Sequence, residues 1–403
     1  MKRRWLLWVT VLIGSVQTAW AQDAGVDCST LSNPLYIPGT TVAKPYFARI
    51  GPKLAAIADG GQITLVYQGK GSCAALNHVT PGGPMTGTAS YWVINPIDGG
   101  NLEQTCNLPI AGITADMAVG DVSIRTCTGA DTPPGFGDFS SFVEPFGFIV
   151  PPNSQQTAIT AEEAYFILKF GGQTGYQVPP WIDPNFIVIR NTASSTQLTI
   201  GMNVGILGTM WSASLTNQNA GGGNVLTKVA AENTTGNADK TLGILATDTW
   251  DPNRDKVKML AFQAFKQGCL GAVYPDSTIT AFDKVNVRDG HYPIWGTFWS
   301  YSAIDGTSQP ANPRAKTLIA FFSGTALLGT ADPIVDVAKT GNIPQCAMKV
   351  KRASDGAPIT PATPANPCNC FYESLVSTTA CTACPAGTCS GTGVCRYGYC
   401  EAR

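Results

Sequence analysis

The chain has 403 residues, 44% of them apolar and only 13% charged, with 26 basic against 27 acidic side chains. A balance this close to neutral excludes recruitment by bulk charge, so neither nucleic acid nor an anionic membrane surface is an expected partner. Losing residues 1–21 would remove Lys2, Arg3 and Arg4, leaving 23 basic against 27 acidic residues and a balance of −4, which does not alter that conclusion. Met1-Lys2-Arg3-Arg4, the apolar run Trp5 to Val16 and Ala19-Trp20-Ala21 read as a signal peptide (residues 1–21) cut after Ala21. The expected location is therefore periplasmic or secreted to the cell surface. No later segment offers about 20 uninterrupted apolar residues, so no membrane insertion is expected after cleavage.

Along the body, short apolar strands alternate with helical patterns. Strands are expected at Pro34–Ile37, Ile63–Gln68, Phe146–Val150 and Phe186–Ile189. Helices are expected at Val42–Ala58, just after Ser72, at Thr160–Phe170 and Thr196–Leu207, and from Asn312-Pro313-Arg314 to about Leu328. The alternation defines an α/β protein, and its length exceeds one ordinary core, so at least two lobes are expected.

Thirteen cysteines in an exported chain argue for disulfides, and the odd count leaves one free or joined to another molecule. Cys28, Cys73, Cys106, Cys127, Cys269 and Cys346 are spread through the body, while seven more crowd residues 368–403. Residues 353–367 (ASDGAPITPATPANP) read as a Pro/Thr-rich linker setting off a cysteine-rich module. Cys381-x-x-Cys384 raises zinc chemistry, but the segment has no histidine, which favours disulfides. Cys346 or another body cysteine would complete a set of eight. A surface partner is a reasonable expectation for this module.

Three segments share one design, in which an apolar strand ends in glycine and hydroxyl residues and a helix starts at once. They are Ile37–Val42, Tyr67–Cys73 and Ile189–Thr196. A helix start leaves main-chain N–H groups unpaired and carries partial positive charge, so it can hold an anion; Ser and Thr also simply cap helices. Enzyme chemistry has little support. His78 and His291 stand in no nucleophile or metal-ligand spacing, Glu162-Glu163 opens a helix, and Gly221-Gly222-Gly223 reads as a flexible loop because no strand precedes it. Neither an enzyme nor a cofactor is expected.

In chain order these motifs resemble the phosphate-binding proteins of the high-affinity phosphate ABC transporters, from about Leu35 to Arg352. Gly39-Thr40-Thr41 followed by Pro45 is similar to the family's first turn, and Tyr67-Gln68-Gly69-Lys70-Gly71-Ser72 matches its second motif. Asp116 to Asp121 looks like its third motif, and Arg190 to Thr196 resembles its fourth with substitutions. The resemblance implies a two-lobed periplasmic-binding fold of class II with two chain crossovers, near Phe148 and near Tyr292. One lobe would span residues 26–147 and 291–350, and the other residues 148–290. It also implies phosphate ligands at Thr41, Val42, Ser72, Asp121, Arg190, Ser194, Ser195 and Thr196, and an ABC permease as partner. Asp121 would select phosphate, because a carboxylate facing an anion needs a ligand that still carries a proton, which sulfate lacks. Gly120, Thr192 and Ser195 stand where the family has serine, aspartate and glycine. Thr80 to Pro109 reads as an insertion forming a hairpin or flap near the mouth, tied by a Cys106 to Cys127 disulfide. Two other readings remain open: a different oxyanion or a phosphorylated compound, and a surface adhesion or assembly protein on a degenerate binding scaffold.

Overall fold

The computed structural model describes residues 25–402 except 59, 79–81, 269–270 and 392; the expected signal peptide and Cys269 lie outside them. The buried apolar run β1 (Pro34–Gly39) leads through a short 3₁₀ turn at Thr41–Ala43 into α1 (Lys44–Ala55). Pro45 sits in the first turn of α1, where its missing N–H costs nothing, and Tyr46, Phe47, Ile50 and Leu54 form the buried stripe. Next come β2 (Thr64–Gly69) and the short α2 (Ser72–Leu76). The expected insertion is a hairpin of β3 (Thr88–Ile94) and β4 (Asn101–Asn107), paired from Thr88↔Asn107 to Ile94↔Asn101 and joined to β2 at Tyr67↔Ser90. Then follow β5 (Ala118–Gly120), α3 (Ile124–Thr128) and β6 (Phe136–Val150).

After β7 (Ala158–Thr160), the helix α4 (Ala161–Phe170) opens on a capping box between Thr160 and Glu163. The chain continues through β8 (Ile187–Arg190), α5 (Ser195–Asn203), β9 (Gln218–Asn219), α6 (Gly222–Ala231), β10 (Leu242–Ala246) and α7 (Thr247–Trp250). It returns by β11 (Lys258–Met259), β12 (Ala261–Gln263), α8 (Val285–Arg288) and β13 (Trp295–Ala303). The body closes with α9 (Pro313–Phe322), α10 (Pro333–Ala338) and β14 (Ile343–Pro344). Two expected helices end early. Val204 and Gly205, the latter at φ 73°, stop α5 short of Leu207, and Gly324 at φ 76° follows the end of α9 short of Leu328.

The main sheet runs β4-β3-β2-β1-β5-β13-β6-β10-β8-β9, with β11 and β14 also on β6. Strand β6 joins its two halves. From Phe136 to Pro145 it pairs antiparallel with β13, and from Phe146 to Ile149 it pairs with β10. The chain comes back beside this switch, where the Phe146 N–H donates to Ile294 O at 2.9 Å and the Tyr292 hydroxyl donates to Phe146 O at 2.7 Å.

The disulfides correct one expectation. Cys106 bonds Cys28, and Cys127 bonds Cys73. The segment before Cys28 lies along β4, with the Asn107 N–H donating to Val26 O, which sets Cys28 beside Cys106; α2 packs on α3, which sets Cys73 beside Cys127. Cys346 bonds Cys368, and the other six tail cysteines pair as 370–381, 384–395 and 389–400. The sulfurs of Cys384, Cys389 and Cys400 lie within 4.8 Å of one another because two disulfides pack side by side, and a half-cystine offers no thiolate to a metal.

The Pro-rich segment forms no long helix, as its composition requires, but it is not a free tether. It carries β16 (Thr360–Pro361), which pairs with β15 (Val350–Lys351). Beyond it, α11 (Asn369–Val376) packs on α10 and puts Cys368 and Tyr372 into the same core cluster as Phe146, Tyr292 and Trp295. The small pair β17 (Val394–Arg396) and β18 (Tyr399–Glu401) packs behind it, with Glu401 accepting from the Cys370 and Phe371 N–H groups at 3.0 Å. Arg288, fully buried, fastens this region: it donates to Ala347 O at 3.1 Å and to Asn369 Oδ1 and Glu373 Oε1 at 3.0 Å, and faces the Tyr372 ring. Replacing Glu373 by alanine is expected to lower the stability of the body by about 1–3 kcal/mol, because it strips an acceptor from a buried cation. Chemical denaturation followed by body tryptophan fluorescence checks this. A tail folded independently of the body would leave the midpoint unchanged.

Candidate oxyanion site

Four chain segments converge behind the strand ends. At the end of β2, Lys70 and Gly71 donate their N–H groups to Gly39 O at 2.8 and 3.1 Å, which fixes the second turn on the first. Gly71 sits at φ 89°, and a Cβ there would lie 3.2 Å from Ala193 O, so glycine allows the turn to approach the loop before α5. Asp121 follows β5. Its N–H donates to Ser72 Oγ at 3.3 Å, while its Oδ2 accepts from Thr40 Oγ1 at 2.8 Å and from Ser195 Oγ at 2.5 Å. Its Oδ1 is buried without a partner among the described residues.

Arg190 ends β8 and is 2% exposed. Its Nη2 donates to Thr41 Oγ1 at 3.0 Å and to Ala220 O at 2.9 Å, and its Nε donates to Asn219 O at 3.2 Å. Main-chain carbonyls of Asn219, the last residue of β9, and of Ala220 therefore orient Arg190. Helix α5 starts at Ser195 without a side-chain cap from Ser194; the Oγ of Ser194 and Oγ1 of Thr196 are buried with no partner among the described residues. Its first-turn N–H groups have no intrahelical acceptor either.

The structure thus gathers Ser72 and Ser195 on Asp121 and Thr41 on Arg190, two hydrogen-bonded groups joined through the adjacent residues Thr40 and Thr41, and places Ser194 and Thr196 at the adjoining helix start. Two details differ from the sequence reading. Ser195 engages Asp121 through its hydroxyl, and the Val42 N–H points locally to Thr40 Oγ1 at 3.5 Å. Thr40, part of the first turn but not among the expected ligands, also reaches Asp121. A cleft of about 530 Å³ opens beside the set, with Thr41, Val42, Tyr67 and Gly69 on one wall and Gly221 to Gly223 and Thr249 on the other. The triple glycine is not the flexible loop expected from sequence. It joins β9 to α6, and β9 went unseen because two polar residues carry no strand signal.

Two further acids belong to this neighbourhood. Glu144 and Asp248 are 1% and 3% exposed, and the Asp248 N–H donates to Glu144 Oε1 at 3.3 Å. Burial pushes Asp121 up to about 7, against the pull of Ser195, Thr40 and Arg190. Burial likewise raises Asp248 to about 7 against its bond from Thr249, with the Asp121 charge adding to the rise. Glu144 is driven well above the ordinary range by burial and then by Asp248 and Asp121. Burial lowers Arg190 to about 10 despite those acids, so it keeps its charge at neutral pH. Neither acid was legible in sequence, since Glu144 lies within an apolar strand and Asp248 in the first turn of a helix, where acids are common.

This arrangement sits in the two-lobed α/β fold of solute-binding proteins. Among solved structures, a putative phosphate ABC transporter substrate-binding protein with bound phosphate, from Clostridium perfringens, aligns over 77% of this chain and 99% of its own, with a TM-score of 0.51 and 14% identity. At that identity the likeness establishes the fold. An ABC-type phosphate transport receptor from Vibrio cholerae aligns over 77% of this chain and 100% of its own, with a TM-score of 0.49 and 14% identity. No family model and no curated protein matches the sequence.

The raised carboxyls set the pH dependence of stability. A native state that holds protons released by the unfolded chain loses stability as pH rises from the ordinary carboxyl range near 4 to about 7. Unliganded protein is therefore expected to melt at a higher temperature at pH 5 than at pH 8, with the raised Glu144 adding to the fall. Scanning calorimetry across that range checks it. Asp248→Asn should flatten the slope.

Proposed function

We propose that this chain captures inorganic phosphate, or a closely related protonated oxyanion, between two lobes outside the cytoplasm and delivers it to an ABC permease. The observation that carries the reading is the meeting at Asp121 and Arg190 of groups from both halves of the sheet: Thr40, Thr41 and Ser72 from one, Ser195 and the Asn219 and Ala220 carbonyls from the other. A fixed guanidinium, unpaired hydroxyls and a helix start supply donors to an oxyanion, and Asp121 supplies an acceptor for its remaining proton. The bound phosphate of the Clostridium protein supports this reading through shared fold. The lobes are proposed as residues 26–147 with 291–350 and residues 148–290, moving about the partner switch in β6 and the return near Tyr292. Ligand would stabilise the closed form, because closure alone offers both sets of groups. Capture is proposed rather than catalysis, because the converging hydroxyls, guanidinium and carboxylate match the donors and acceptor that a protonated oxyanion needs. The expected signal peptide, residues 1–21, supports a location outside the cytoplasm.

Isothermal calorimetry with phosphate, sulfate and arsenate on ligand-freed protein tests the proposal. Phosphate and arsenate are expected to bind and sulfate to bind poorly at pH 8. The preference should shrink towards pH 6, as Asp121 takes up a proton and can donate to sulfate. Asp121→Asn should reduce the phosphate preference by about 5- to 150-fold, the range set by leaving one buried group unpaired. Arg190→Ala should abolish measurable binding. No heat with any of the three oxyanions would overturn the proposal.

A further inference from the structure

The loop between β15 and β16 leaves the body beside the returning chain and reaches both of the elements that carry the anion site. At its base, Arg352 donates to Pro293 O at 2.6 Å and to Trp295 O at 3.0 Å, and its guanidinium lies 4.2 Å from the centre of the Trp295 ring. At its tip, the Asp355 carboxylate accepts from the Ser123 N–H and from Thr126 Oγ1, both at 2.6 Å. Ser123 is the N-cap of α3 and stands two residues after Asp121. Cys127 of the same helix is bonded to Cys73, next to Ser72, so α3 also braces the second turn of the site. The next loop residue, Gly356, lies against α5: a Cβ there would sit 3.1 Å from Met202 Sδ and 3.2 Å from Met202 Cβ. Gly356 takes φ 70°, which turns the chain from one contact to the other.

One short loop thus holds the segment that carries Asp121 and touches the helix that carries Ser194, Ser195 and Thr196, while its base is pinned to the chain that returns between the two halves. Ile359 at the end of the loop packs against the larger core cluster, whereas Asp355 and Gly356 at the tip make the polar contact with α3 and the close approach to α5. We propose that residues 352–359 form a strap that positions the anion site, and that Asp355 is a positioning residue, holding α3 and therefore Asp121 in register with the start of α5. The inference rests on the reading of that site as an oxyanion site. It makes release of the ligand depend on the Asp355 contacts letting go, because the two hydroxyl partners of Asp121 belong to opposite sides of the strap.

The test uses the full chain and inorganic phosphate. Asp355→Ala is expected to weaken phosphate binding about tenfold, chiefly through faster release in stopped-flow displacement, with α3 and α5 still folded. Asp355→Asn keeps one acceptor oxygen and should recover part of the loss. A residue with only a structural role would lower the melting temperature and leave the affinity and release rate of the folded protein unchanged, and that outcome overturns the proposal. A second measurement needs no ligand. The Asp121 carboxyl is faced by Arg190, Tyr67, Tyr301, Glu144, Asp248 and Asp355; the Asp355 charge raises it, while Asp121 in turn raises Glu144 and Asp248. Removing the Asp355 charge should lower the Asp121 titration midpoint, read by carboxyl carbon NMR, and an unchanged midpoint in both variants also overturns it. If the parent protein binds no phosphate, the oxyanion reading fails, while the NMR arm still decides whether the strap governs Asp121.

Discussion

The site depends on one constraint, the burial of Asp121. A carboxylate removed from water is costly unless hydrogen bonds replace its hydration. Here the replacement comes from hydroxyls that arrive from opposite halves of the sheet, Thr40 after β1 and Ser195 at the start of α5. Each half alone would leave this acid with half its partners, so the acid couples the halves. The long strand β6 makes the meeting possible, because it changes partner from β13 to β10 without leaving the sheet.

Charge around the site is lopsided. Asp121, Glu144 and Asp248 are buried near the guanidinium of Arg190, which no carboxylate among the described residues hydrogen-bonds. Carbonyl oxygens orient the arginine without neutralising it, so its charge stays available to an anion. The surplus of acid is tolerated because burial raises all three carboxyls, Asp121 and Asp248 to about 7, with the Asp121 charge adding to the rise of Glu144 and Asp248. Protonation state and ligand choice are therefore two aspects of one cluster.

The C-terminal region belongs to this same physics. A cystine-rich segment of this size has little apolar core of its own and is held by cross-links, as is usual for small exported units. Its helix α11 nevertheless lends Tyr372 to the main core and Asn369 and Glu373 to Arg288, and the chain leading to it lies over α3 and α5. The proline-rich stretch is thus an ordered part of the body.

Local chemistry made much of this readable in the sequence. Strand and helix starts at β1, β2 and β8 announce themselves through apolar runs ending in Gly, Ser and Thr, and Thr41, Ser72, Asp121, Arg190 and Ser195 could be named from those turns and from family likeness. Composition also sufficed to read the cysteines as disulfides. What the sequence could not give was partnership over distance. Thr40 and Thr41 differ by one step in a turn, and only the direction of the chain decides which reaches Asp121 and which reaches Arg190. Cys106 in the expected insertion and Cys127 beyond it read as a pair, but β4 and α3 carry them to different partners. Glu144 and Asp248 lie 104 residues apart, and Ser123 and Asp355 lie 232 apart. The sequence by itself determined the elements and the types of group at each turn, because these follow from local backbone chemistry. The tertiary structure decided which groups meet, because burial and hydrogen bonding are satisfied between segments that only the folded chain brings together.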